Sequence, residues 1–115
     1  MEAPTVITDE FMREMMARTR TYTLVLLKTA ARYHQPGADA IIWEHGRCQF
    51  WLRAGGVLSI VCPVADDSDL AGANIFAASA EEAARLMDGD PAVQAGVLSY
   101  EVHPVRSFPG DCLGG

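Results

Sequence analysis

Basic charge is short in this chain of 115 residues: nine Lys and Arg stand against fifteen Asp and Glu, a formal net charge of −6. A surface built for nucleic acid or for an anionic membrane needs the opposite balance. The only local arginine group, Arg13, Arg18 and Arg20, is interleaved with Glu14 and methionines. Long apolar runs are missing too, and none approaches the ~18 residues that a membrane-spanning helix requires. Met1 is followed by Glu2 rather than by a basic stretch and an apolar one, so no secretory leader is expected. Cysteine is sparse. Cys48, Cys62 and Cys112 are odd in number and widely spaced, which argues against a disulfide scaffold or a zinc site. No glycine falls in a G-x-x-x-x-G-K phosphate loop, and no serine sits in a nucleophile elbow. These absences leave a cytoplasmic protein without nucleic-acid or membrane partners as the expectation.

What is present is a chain that is half apolar, enough for one domain with a real core. Thr8 is placed to cap a first helix with Asp9 and Glu10 in its first turn, and Phe11, Met12, Met15 and Met16 give that helix a sticky side for the body or a second chain. YTLVLLK (22–28) reads as a strand covered on both faces. A helix of about fifteen residues then starts near Ala38 or Asp39 and stops at Gly55 and Gly56. Its residues Ile41, His45, Cys48 and Leu52 share the side expected to face the sheet, whereas Trp43, Arg47 and Phe50 fall on the other.

VLSIVCPV (57–64) is a second strand, ADDSDLAG (65–72) an acidic turn and ANIFAA (73–78) a third strand. Ser79 and Glu82 form a capping box for another helix. Gly89, Asp90 and Pro91 end it, with Asp90 capping a single further turn, and VLSYEVHPV (97–105) is the fourth strand. The order is that of an α+β, ferredoxin-like split β-α-β-β-α-β fold with an extra N-terminal helix. Two helices cover only one face of a four-stranded sheet, and the first two strands are very apolar. A homodimer through the open sheet face, forming a dimeric α+β barrel, is therefore expected.

His45 is the first chemical candidate, because a histidine on a sheet-facing helix side needs a polar partner and can move protons near neutral pH. Asp90 is the second. Capping explains its residue type, but a capping carboxylate still has an oxygen to offer to an imidazole. The two helices of this fold pack side by side, which can bring Asp90 near His45, and His-Asp pairs are common acid/base units. Other candidates have simpler explanations. Asp66, Asp67 and Asp69 read as a solvated turn and match no calcium loop, and Cys48 and Cys62 read as core. Arg47 points away from His45. His34 and His103 join His45 in a metal site only if the fold gathers them, and nothing in their spacing requires it, so no metal and no cofactor are expected.

The segments YTLVLLK, WEHGRCQFWLRAGGVLSIVCPV, LAGANIFAA and SAEEAARLMDGDPAVQAGVLSYEVHPV, which together span roughly residues 21–105, resemble the YCII-related family. The signals are a histidine midway along the long helix, a glycine just before the second strand, a proline at that strand's exit and an Asp-Pro before the last strand. The resemblance implies a ferredoxin-like fold, a dimeric α+β barrel and a His-Asp pair in a pocket, with His45 and Asp90 at the matching positions. It divides the chain into an N-terminal helical extension (1–20), a YCII-like domain (21–108) and a C-terminal tail (109–115). Some members of that family remove chloride from chlorinated hydroxyquinols without a cofactor. The chain departs from the family pattern at Cys62-Pro63, where Gly-Pro is usual, and at Ala92, where a phenylalanine often follows Asp-Pro.

Two functions follow. In the first, the protein is a cofactor-independent enzyme of lyase or dehydrochlorinase type. His45 is its general acid or base, Asp90 orients His45, and the substrate is small, with Trp43, Trp51, Tyr22 or Tyr33 offering a flat wall to an aromatic one. In the second, it is a non-catalytic dimer that binds a small ligand or a protein, and the His-Asp pair is structural.

Overall fold

Strand alternation organises the centre of the molecule. In a computed structural model that describes residues 6–115, β1 (Arg20–Thr29) buries Thr23, Val25 and Leu27 and leaves the residues between them half-buried. Leu27 pairs with Gly72, Val25 with Asn74 and Thr23 with Phe76 of the antiparallel strand β3 (Leu70–Phe76), whose buried residues are those same three partners. The period of two thus puts one face of both strands into the core. Strand β2 (Leu58–Ile60) pairs with β3, and β4 (Leu98–Ser107) lies beside β1, so the sheet order is β2-β3-β1-β4. With its helices, this is the ferredoxin-like arrangement expected from the element order.

The expected dimeric barrel is not what the structure shows. The sheet is open, and its edge strands β2 and β4 have no ladder to one another. Closing a sheet requires a continuous ladder around the whole circuit. Strand β2 is only three residues long, and its register against β3 shifts between Leu58 and Ile60. Cys62 N–H then donates to the side-chain Oδ1 of Asn74 at 3.0 Å instead of to a strand carbonyl, and Pro63 has no N–H to donate. The second strand is accordingly shorter than the 57–64 span suggests. The third begins earlier than residue 73, because Asp66 and Ser68 close a tight turn and release Leu70 into the sheet.

One face of the sheet carries three helical segments of the larger unit. The long helix, labelled α2 (Ala38–Ala54), starts after Gly37 at φ 89°, a left-handed conformation that favours glycine. It buries Ala38, Gln49 and Leu52. Next comes α3 (Ala80–Asp88), where Ser79 accepts from Glu82 N–H at 3.1 Å as a cap should, while the Glu82 carboxylate pairs with Arg85. A single turn, α4 (Pro91–Gln94), packs against α2. Val25, Leu52, Leu58, Phe76, Met87 and Val97 form the middle of the core that these elements enclose.

The other face carries Leu24 and Leu26 of β1, Ala73 and Ile75 of β3, and the ion pair Lys28–Glu101 at 2.7 Å.

The chain divides into two compact units, Tyr22–Val105 and a second made of Met1–Thr21 with Arg106–Gly115. In the second unit, α1 (Asp9–Ala17) is capped by Thr8, which accepts from Phe11 N–H at 3.1 Å, and it buries none of its residues. The tail of that unit is closed by Asp111, which accepts from Ser107 Oγ and Phe108 N–H. The reading that no leader is present concerns residues outside the described ones. No described helix is long and apolar enough to cross a membrane.

Candidate functional site

Asp90 is fixed before any histidine is considered. It follows Gly89 at the end of α3 and adopts extended backbone angles as the N-cap of α4, with Pro91 at the first helical position, where a missing N–H costs nothing. Its Oδ2 accepts from Ala92 N–H at 3.0 Å and Val93 N–H at 3.3 Å. The side chain has no exposed surface at all. A fully buried carboxylate needs more than two backbone donors, and the further one comes from α2. His45 Nδ1 lies 2.8 Å from Asp90 Oδ1 and 2.9 Å from Oδ2. Asp90 is acting throughout as an acceptor, so the proton in this contact sits on Nδ1, and a neutral ring keeps its lone pair on Nε2.

That second nitrogen is placed differently. No described residue hydrogen-bonds Nε2. Every buried side-chain nitrogen and oxygen among the described residues has a partner, so the unpartnered Nε2 is one that solvent reaches. The ring as a whole remains 13 % exposed. It borders a cavity of about 330 Å³ between α2 and the sheet, at the low end of the range for small-molecule sites. Tyr33, Phe50, Leu27 and Leu98 supply apolar wall, while Gln49 and Asn74 supply polar wall.

Gly46, next to His45, also borders this cavity, and a Cβ placed on it would meet nothing within 4 Å. Its φ is not positive and no neighbour crowds it, so the backbone does not require glycine there. A glycine inside a helix costs about 1 kcal/mol relative to alanine. What it provides is open space beside the histidine.

Cys48, one turn along α2, is a half-buried thiol near Asp90. Burial first and the Asp90 carboxylate second push its pKa up, which keeps it a neutral thiol and a poor nucleophile. Its reading as a packing residue stands.

The remaining sequence candidates are scattered. His34 is exposed and meets Tyr33 edge-on. His103 shares a face of β4 with Glu101, 3.1 Å away, whereas Tyr100 on the opposite face reaches Ala84 and Asp88 of α3. The three histidines are therefore not gathered, and His103 is on the wrong side of the sheet to join His45. Asp66 and Asp69 stay on the exposed turn. Ser68 donates to Asp66 through its hydroxyl and N–H, which lowers the Asp66 pKa. Arg47 is exposed and pairs with Glu44 at 2.9 Å. Of the four aromatic residues proposed as a flat wall, only Tyr33 borders the cavity, while Trp43 and Trp51 are each more than 70 % exposed.

Sequence reasoning missed Gln49 and Asn74. Each is 2 % exposed, and Asn74 Nδ2 donates to Gln49 Oε1 at 2.7 Å. Two signals were available. Asn74 interrupts an apolar strand, A-N-I-F, at an inward position, and Gln49 stands four residues after His45 on the same helical stripe.

No protein-family model matches the chain, and no curated protein matches it. Among solved structures it is similar to 5-chloro-2-hydroxyhydroquinone dehydrochlorinase from Burkholderia phenoliruptrix, in a complex with 2,5-dihydroxybenzoquinone. The identity is 22 %, over 71 % of this chain and 90 % of that one, with a TM-score of 0.49. What this site can do follows from its own geometry.

Proposed function

We propose that the protein is a small acid/base enzyme in which His45 Nε2 exchanges a proton with a compact ligand in the cavity while Asp90 holds the ring. One observation carries this reading: the buried Asp90 is locked by two backbone N–H groups and grips Nδ1, which leaves Nε2 free on a ring that borders the cavity. The carboxylate fixes the tautomer and supports the imidazolium that forms when Nε2 takes a proton.

The step is removal of a proton from a carbon next to a carbonyl, or from an activated ring. The C–H bond breaks, its proton goes to Nε2, and its electron pair moves toward the carbonyl oxygen or expels a leaving group on the neighbouring carbon. The resemblance of residues 21–105 to YCII-related proteins points toward such eliminations. The full burial of Asp90 favours the alternative, a purely structural pair within a ligand-binding protein.

The test is proton–deuterium exchange in D₂O, followed by NMR, on a panel of polyhydroxylated benzenes and cyclic 1,3-diketones. The wild-type protein should accelerate loss of a C–H signal from at least one class. His45→Gln should reduce that rate by about 10²-fold or more. An unaccelerated panel would sink the enzyme reading in favour of the structural one. We further propose that two copies associate through the sheet face opposite α2, α3 and α4 without closing into a barrel, so light scattering should give twice the chain mass of 12.4 kDa.

A further inference from the structure

The amides of Gln49 and Asn74 have fixed orientations, and the reason lies in a backbone group. Cys62 N–H can only donate, so the Asn74 atom facing it at 3.0 Å must be Oδ1. Asn74 therefore turns Nδ2 toward Gln49, whose facing atom must then be Oε1, at 2.7 Å. This leaves Gln49 Nε2 against the Met87 sulfur at 3.8 Å, a weak acceptor. Each amide nitrogen carries two N–H groups. Among the described residues Asn74 Nδ2 has one acceptor and Gln49 Nε2 has only the sulfur. Two nearly buried side chains thus hold N–H donors in excess, and both border the cavity that His45 borders.

A buried amide with a spare donor is an unfavourable arrangement unless something accepts from it. Among the described residues no carboxylate lines the cavity, and Asp90 is occupied by His45 and α4. We infer that Gln49 and Asn74 form the oxygen-recognition wall of the site, donating to a ligand oxygen that is a carbonyl, enolate or phenolate. The inference rests on the acid/base reading for its chemistry: when Nε2 takes the carbon-bound proton, negative charge gathers on the ligand oxygen, and preset N–H donors in a dry wall stabilise it there. It adds a substrate class, a compact and mainly apolar molecule with an oxygen acceptor beside the acidic C–H. It also makes Gln49 and Asn74 determinants of specificity.

The test uses 4-nitrophenol, whose ionised form has its own absorbance band, and nitrobenzene, which lacks the hydroxyl oxygen. Bound 4-nitrophenol should ionise at a lower pH than the free compound. Gln49→Glu keeps the acceptor for Asn74 but replaces the donor with a negative group. It should cut the ionised-to-neutral ratio of the bound probe about tenfold at fixed pH, in line with one lost hydrogen bond to a charged oxygen. Gln49→Met, which removes the donor without adding charge, should act in the same direction and serves if the glutamate variant folds poorly. Nitrobenzene affinity should not change by more than about twofold. The Gln49→Glu effect should persist when His45→Gln is also present, because it does not pass through the imidazole.

Failure of 4-nitrophenol to bind, or an ionised fraction unchanged in both Gln49 variants, overturns the inference. Loss of the oxygen effect with proton exchange intact removes this inference and spares the acid/base reading, and the opposite result does the reverse.

Discussion

Among the described residues two histidine–carboxylate pairs are built in opposite ways. His45–Asp90 joins two helical segments that are 45 residues apart in sequence. Its carboxylate has no exposed surface, and two backbone N–H groups pin it in place. His103–Glu101 joins neighbours on one strand, on the face opposite α2, α3 and α4. Its carboxylate is 40 % exposed and is shared with Lys28. The second pair needs no fold to form, since residues i and i+2 of any strand lie on the same side. The first exists only when α2, the end of α3 and β4's approach have all reached their places. Equal chemistry at 2.8 and 3.1 Å therefore has unequal meaning: one pair reports the tertiary structure, and the other decorates it.

Three substitutions sharpen that contrast. Asp90→Ala should have the largest effect, a loss of about 3 kcal/mol in denaturant unfolding, because it removes a helix cap and strips a buried imidazole of its partner. A loss within error would mean that the pair is not held as described. Tyr100→Phe should come next, at about 1 kcal/mol near neutral pH, since the single Tyr100 hydroxyl proton is shared between Asp88 Oδ1 at 2.6 Å and Ala84 O at 3.1 Å and ties β4 to α3. The bond to Asp88 and burial push the Tyr100 pKa from 10.0 up to about 12. The folded state thus holds the phenolic proton more tightly than the unfolded chain does. The wild-type advantage over the phenylalanine variant should be full below pH 10.0 and fade as pH rises through about 12, which parallel unfolding curves would reveal. Glu101→Ala is the smallest. It should leave the unfolding midpoint unchanged within error, because exposed pairs are screened and mobile. A drop as large as that of Tyr100→Phe would erase the distinction between the two faces.

Much of this was readable in the chain. The element order, the Thr8 and Ser79 caps, the stop at Gly55 and the cap-then-turn at Asp90-Pro91 are local, and local residues specify them. The pairing of His45 with Asp90 was legible only as a consequence of helix order, since nothing near either residue names the other. Three features were hidden. The early end of β2 depends on Asn74 capturing Cys62 N–H from another strand. The open sheet depends on what β2 and β4 pair with, whereas apolar strand composition says only that a face prefers cover. The amide wall depends on two side chains 25 residues apart meeting inside the core, and hydropathy patterns do not record such a meeting.

Asp90 accepts from His45 and from the amides of Ala92 and Val93 with a single carboxylate. Opening of the short turn α4 and release of the imidazole are therefore one event rather than two. On the proposed acid/base reading, any fluctuation that frays this turn also switches the site off, and any ligand that steadies His45 steadies the turn in equal measure. The backbone protons of Ala92 and Val93 are in that sense a built-in gauge of the His45–Asp90 contact, legible by hydrogen exchange.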